Sequence, residues 1–483
     1  MQKIIDLQTK DWSNGISAQA NMPIGGYFQS FRGIDPFYNQ GLATPSFPEE
    51  TVTPSTAPLM ITNFNTGGVT YIYWHSATEL KQTLKDSPYT QVDKTSEVSF
   101  VGGFAVNGAI IWKNKYIYAR QGSDIRANSL PVASGSDIQI KAGVNSSFDK
   151  MAFCVGADGN LYHADNSRVG ILTSATGTAG NANTFNIDSD FNVRDLINNG
   201  KYLVIIADNN NQLSTDKKIG NYRCRVYFWD MIKTTADIIY DVQDSYMIAG
   251  EQIDGNIYFF GYNGLYVCNL ATSPKLIRPF TGYNGVSNQL PLHAYQLTQN
   301  KGSLYWVNGV SDAVKNGNVF AYGNPTTGLQ KIFYNPYSFN GTGLHNIIQV
   351  VGEQLWIATA EPKMHIVNTS SGVGTGVIAT LNQIMPNPFR YEYTKIVLAV
   401  PLSSGQSVTF LAVTGGGGNA VSSSETKSYS ATNPKQTLIF RRIAGVNTLQ
   451  RFEDIRLSIT VVGASIVRVT TYATSLDDSS EDL

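Results

Sequence analysis

At 483 residues the chain is long enough for one large domain or several ordinary ones, each with a real core. Apolar residues make up 42% and aromatics 11%, which marks a folding chain, but charged residues reach only 15% against the roughly 25% usual for soluble domains. With 35 basic and 36 acidic residues the net charge is −1, and no dense Lys/Arg run exists, so specific nucleic-acid binding is not expected.

The N-terminus "MQKIIDLQTKDWSNG" lacks the apolar core of a signal peptide, so synthesis without export is expected. The longest apolar stretch, "FVGGFAVNGAIIW" (100–112), is too short and too polar to span a bilayer, and no membrane partner is expected. Residues 1–54 read as an extended arm. Between 21 and 58 the sequence is crowded with Gly and Pro and has no periodicity, and Pro45, Pro48, Pro54 and Pro58 favour an extended path over a helix. Trp12, Tyr27, Phe28, Phe31, Phe37 and Tyr38 are more aromatic surface than a free linker keeps exposed. They are candidate docking residues, packing either on the chain's own body or in pockets of another subunit.

From 55 to 385 one motif recurs: a turn residue or two, then an aliphatic–aromatic or aliphatic–aliphatic step. Copies centre on Ile72-Tyr73, Ile117-Tyr118, Leu161-Tyr162, Leu203-Val204, Ile257-Tyr258, Leu304-Tyr305 and Leu355-Trp356, at gaps of 45, 44, 42, 54, 47 and 51 residues. Seven copies at this spacing predict a β-propeller of seven blades, each of four short strands. A single twisted four-stranded sheet leaves both faces bare, so neighbours must cover them and the ring must close. Trp74, Trp112, Trp229, Trp306 and Trp356 fall in different repeats, as blade-packing residues would. In the second repeat "NGAIIW" competes with "NKYIYA" for the same role. The rival is a run of ordinary β-meanders whose NG and DG turns look alike.

Residues 386–475 supply five alternating strands, the size of a small antiparallel β-sandwich. The tail 476–483, "LDDSSEDL", is acidic and expected to be disordered. The fold class predicted is therefore all-β: a β-propeller with an extended N-terminal arm and a C-terminal β-sandwich.

Chemical motifs are scarce. Cys154, Cys224 and Cys268 each sit in an apolar run and read as buried thiols. The glycines at 415–418 lack a following Gly-Lys-Ser/Thr, and the five histidines are too far apart for a metal-ligand pair. "DSDFNVRD" (188–195) and "DNNNQLSTD" (208–216) have part of a calcium loop's spacing but lack its glycine and closing glutamate, so both read as solvated loops. No nucleophile elbow or sialidase-type repeat appears. No catalytic, metal or cofactor residue is expected, and the chain reads as a non-enzyme. Tyr283 and Tyr295, in "FTGYNGVSNQLPLHAYQ" (280–296), are candidate glycan contacts, since tyrosine rings stack on sugars.

The phrases "KDWSNGISAQANMPIGGYFQSFRGIDPF", "YTKIVLAVPLSSGQSVTFLAV" and "IRLSITVVG" resemble a class of tailed-bacteriophage virion structural proteins. That resemblance implies a virion tail location and a nozzle, hub or fibre-attachment role. It further implies a ring-shaped homo-oligomer contacting other tail proteins, and tail fibres or host glycans as further partners. It carries over no catalytic residue. The rivals are a carbohydrate-binding propeller and a glycan-cleaving enzyme, the latter needing acids clustered at the propeller axis.

Overall fold

A computed structural model describes residues 2–7, 28–32, 34–35, 44–45, 49–76, 78–99, 106–120, 123–144, 150–209, 223–279, 291, 293–300, 302–307, 317–323, 332–339, 345–359, 362–367, 374–380, 383–414, 421–441 and 452–475. The chain divides into two compact units, one of residues 49–317 and 339–367, the other of 1–48, 318–338 and 368–483.

The first unit is a β-propeller. Six antiparallel four-stranded sheets lie in it. The first runs Met60–Thr66, Val69–His75, Leu80–Leu84 and Val92–Asp93; the second Val106–Trp112, Lys115–Arg120, Asp124–Ser129 and Ile138–Ala142. The third runs Phe153–Val155, Leu161–Asp165, Arg168–Leu172 and Ala182–Asn186; the fourth Asn192–Asn199, Tyr202–Asp208, Cys224–Trp229 and Ile238–Val242. The fifth runs Met247–Ile253, Asn256–Gly261, Gly264–Cys268 and Lys275–Pro279. A hairpin of Leu297–Asn300 and Ser303–Val307 follows, and then a sheet of His345–Val351, Gln354–Thr359, Met364–Val367 and Glu49–Val52.

Every copy of the repeated motif falls on the second strand of its sheet or hairpin. Those strands are buried on both faces: all residues of Leu161–Asp165, Tyr202–Asp208, Ser303–Val307 and Gln354–Thr359 are buried. A strand flanked within its sheet and covered by adjacent sheets tolerates apolar side chains at every position, which is why the motif is so uniform. "NGAIIW" and "NKYIYA" are both accommodated, as the first and second strands of one sheet. The five repeat tryptophans are all buried. Core clusters join neighbouring sheets, the second to the third, the third to the fourth and the fourth to the fifth.

The ring is closed by a segment from far upstream. Glu49–Val52 pairs antiparallel with Met364–Val367, Val52 standing opposite Met364 and Glu49 opposite Val367. Asn63 Nδ2 donates to the Val350 carbonyl at 3.2 Å, tying the first sheet to the last. The propeller unit thus begins at Glu49 and ends at Val367, whereas the sequence placed its limits at 55 and 385.

In the third sheet His163 lies fully buried against Gly170, its cross-strand partner. A Cβ on Gly170 would stand 2.0 Å from the imidazole Nε2. Gly170→Ala is therefore expected to lower stability by about 1–3 kcal/mol, the usual cost of overpacking a core, measured by urea denaturation.

The second unit gathers distant segments into two linked antiparallel arrays. In one, Gln2–Leu7 pairs with Ile466–Ser475, which pairs with Gln383–Leu398, which pairs with Thr437–Arg441. In the other, Thr375–Thr380 and Ser407–Thr414 flank Phe452–Val462, and Val421–Ser428 pairs with Ser407–Thr414. Gln383–Leu398 joins the two by pairing with Phe452–Val462 near its own start. Phe410 bridges the arrays, its ring 5.2 Å from Phe440 and 6.5 Å from Tyr391.

Two parts of the N-terminal arm pair inside this unit. Phe28–Arg32 pairs with Thr375–Thr380. On the strand Gln2–Leu7, Asp6 accepts from Arg468 Nε and Nη2 at 2.8 and 2.6 Å and from the Thr470 hydroxyl at 3.0 Å.

Candidate functional site

First strands of four neighbouring propeller sheets line a cavity of about 370 Å³. Its wall takes Ile110 from the second sheet, Phe153 and Cys154 from the third, Asp195 from the fourth, Glu251 from the fifth, and Tyr295 just before the hairpin. In four sheets the ladder between first and second strands shifts register near the start of the first strand, at Val106/Gly108, Val193/Asp195, Met247/Ala249 and His345/Ile347. A bulge re-aims the side chains beside it. Arg194, skipped by the ladder, donates to both oxygens of Asp208 at 2.9 and 2.6 Å.

Asp195 is the centre of this wall. Its Oδ2 accepts from the Gly250 N–H of the next sheet at 2.8 Å, and its Oδ1 accepts from the Leu196 N–H at 2.8 Å. Burial pushes its pKa up to about 7, opposed by those two N–H bonds and reinforced by Glu251. Glu251 is raised by burial too, with the Gln252 N–H holding its Oε1 at 3.0 Å. Cys154 is raised by burial first and then by these carboxylates, so its thiol is inert. A carboxyl titrating near neutrality is suited to proton transfer. Both oxygens of Asp195, however, are engaged by backbone N–H groups, so the side chain acts as a strut between two sheets.

Tyr295 reaches from the segment before the hairpin to the third sheet. Its hydroxyl donates to the Met151 carbonyl at 2.5 Å. Gly108 makes room for it, since a Cβ there would stand 2.6 Å from that carbonyl and 3.0 Å from the hydroxyl. The residue named as a glycan contact is thus half-buried in the cavity wall with its hydroxyl occupied. Tyr283, Trp12, Tyr27, Phe37 and Tyr38 lie outside the described residues. Phe28 and Phe31 lie on the paired strand Phe28–Arg32.

In the first calcium-like stretch Asp188 pairs with Arg225, and Asn192 opens a strand. In the second, Asp208 carries the Arg194 pair and a bond from the Met247 N–H at 2.8 Å, and residues 210–216 lie outside the described set. Among the described residues no three His, Cys, Asp or Glu side chains group as metal ligands. All three cysteines are buried and free. No helix among the described residues is long and apolar enough to cross a membrane.

His75 and His163 are buried and His293 is half-buried. Among the described residues neither nitrogen of His75 or His163 has a hydrogen-bond partner, nor does Nδ1 of His293. Burial lowers His75 and His293 to about 3, helped by the Lys150 ammonium, and lowers His163 to about 4.

No family model and no curated protein matches this chain. Among solved structures it is similar to virginiamycin B lyase from Staphylococcus aureus, at 9% identity and a TM-score of 0.45, over 66% of this chain and 99% of that one. It is similar to the Neurospora crassa Pan2 WD40 domain at 10% identity and a TM-score of 0.41, over 66% of this chain and 90% of that one. It is also similar to the Dos1 propeller at 12% identity and a TM-score of 0.41, over 69% of this chain and 96% of that one. Likeness at this level concerns the fold alone.

Proposed function

We propose that the chain is a non-enzymatic structural subunit of a bacteriophage tail, of the nozzle, hub or fibre-attachment kind, assembling into a ring with copies of itself. The observation that carries this reading is the path of the chain. It passes between the two units four times, at 48/49, 317/318, 338/339 and 367/368. Neither unit is one continuous stretch of sequence, and four connections tie them together. Such a connection suits a subunit that transmits load within an assembly. The scarcity of charge and the surface rich in Asn, Ser and Thr fit the same role. In this reading the propeller has seven blades, the hairpin Leu297–Val307 opening the sixth in chain order, and the second unit is a β-sandwich extended by the arm.

The test is the assembly state of the purified chain, by mass photometry and negative-stain imaging. Closed rings, or uptake onto tail-like particles, are the expected result. A chain that stays monomeric at micromolar concentration and is not taken up by such particles would overturn the proposal. The glycan-binding alternative is tested by a glycan array, where it requires a signal that the structural reading does not.

A further inference from the structure

The cavity walled by first strands of the propeller sheets, at about 370 Å³, is large enough for a small molecule. It holds negative charge that its wall does not balance. Asp195, 6% exposed, and the half-buried Glu251 line it, and among the described residues no Lys, Arg or His does. A carboxylate offers about four lone-pair positions. Among the described residues Asp195 accepts from the Gly250 and Leu196 N–H groups and Glu251 from the Gln252 N–H, so both keep acceptor capacity. Those backbone donors favour the ionised carboxylates, while burial and the charge of Glu251 beside Asp195 oppose them. A cation between the two groups resolves that conflict. The rest of the wall is aromatic and apolar. A Cβ on Gly108 would stand 3.0 Å from Phe153 Cε2 and 3.0 Å from the Tyr295 hydroxyl, so this glycine is what lets both rings into the wall beside Ile110.

We propose that this cavity binds a small primary amine in its protonated form, the ammonium held by Asp195 and Glu251 and an apolar body set against Phe153, Tyr295 and Ile110. Aromatic rings attract an ammonium group as well as covering apolar surface, so both parts of such a ligand find a partner. Binding is linked to pH. The titratable groups facing Asp195 are Glu251, Cys154 and Tyr295, and burial raises the last two so that they stay protonated and neutral. With Asp195 titrating at about 7, its ionised fraction rises about tenfold between pH 6 and pH 8, and affinity for a cation rises with it. Glu251, also raised by burial, adds in the same direction.

The test is calorimetric titration of the full chain with phenethylammonium and with its neutral isostere 2-phenylethanol. At pH 8 the amine is expected to bind about tenfold tighter than the alcohol or better, and to lose about tenfold in affinity at pH 6. Glu251→Gln keeps the side-chain shape and an acceptor for the Gln252 N–H. It is expected to weaken amine binding by about tenfold while leaving the melting temperature equal or higher, because it removes an unbalanced buried charge. A carboxylate present for structure alone would instead lower the melting temperature and leave amine affinity unchanged. Absence of amine binding at millimolar concentration overturns the proposal, as does equal binding of amine and alcohol. Unchanged amine affinity in folded Glu251→Gln also overturns it, because the amine then sits elsewhere. Should that variant not fold, the comparison of the two probes and the pH dependence in the unaltered chain decide alone.

Discussion

A chain lacking residues 1–48 is expected to keep a cooperative propeller unfolding transition, and a chain lacking 1–52 is expected to lose it. The four residues that separate these deletions are the closing strand. Glu49–Val52 makes the outer ladder of the last sheet, and every residue of its partner Met364–Val367 is buried. Val52 is 5% exposed and belongs to a core cluster with Trp74, Trp356 and Met364. Losing the ladder removes backbone bonds worth about 1 kcal/mol each, and losing Val52 removes another 1.5–3 kcal/mol or so of burial. The combined loss, roughly 4–7 kcal/mol, is a large part of the 5–15 kcal/mol that typically stabilises a folded protein. It also bares a strand edge inside an otherwise closed ring, which favours aggregation. Thermal melts followed by tryptophan fluorescence check this, because the five repeat tryptophans all lie in the propeller. In the full chain, Val52→Asp should lower the melting temperature sharply. Equal melts for the two deletions would mean that the ring does not depend on this strand.

The propeller was legible in the sequence for a specific reason. Its second strands are buried on both faces, so Leu161-Tyr162, Ile257-Tyr258 and Leu355-Trp356 look alike wherever they occur. The first strands carry bulges that break any regular alternation, and they conform to no common pattern. The closing strand was illegible because it is four residues long and has no motif; its identity lies in its partner, more than 300 residues away. The same holds for Gln2–Leu7, whose alternation is visible but whose partner, Ile466–Ser475, is at the far end of the sequence. Tyr295 sits in a stretch with turn residues and reads as a surface aromatic, yet its hydroxyl is held by a backbone carbonyl, and a carbonyl leaves no mark on the sequence. Asp195 was seen only as the end of an acidic stretch. What lifts its pKa is burial between two first strands, a property of the ring and not of its neighbours in sequence.

His75, His163 and His293 are each expected to contribute stability to the propeller that is lost on acidification from pH 6.5 to 4. His75, His163 and His293 are held neutral in the fold at about 3, about 4 and about 3, against an ordinary value near 6.5. Below pH 6.5 the unfolded chain binds protons at these sites and the folded chain does not. Stability is therefore present above 6.5 and is lost as pH falls toward 3–4, at about 1.4 kcal/mol per pH unit for each fully buried histidine. Asp195 acts in the opposite direction. Its folded pKa of about 7 lies above its unfolded value near 3.8, so its contribution is fully present below 3.8 and is lost as pH rises through 7. Over the window from 6.5 to 4, Glu251 and Asp244, also raised by burial, act in the same direction as Asp195, so the histidine part of the slope is isolated by substitution. His163→Phe separates these contributions, because it removes one titrating imidazole and keeps a ring at a buried position. Urea denaturation of this variant at pH 7, 6, 5 and 4 should show the acid slope reduced by about 1.4 kcal/mol per unit. Asp195→Asn should do the reverse, steepening the acid slope because the compensating proton uptake is gone. An unchanged slope in both variants would place the proton-linked groups elsewhere in the chain.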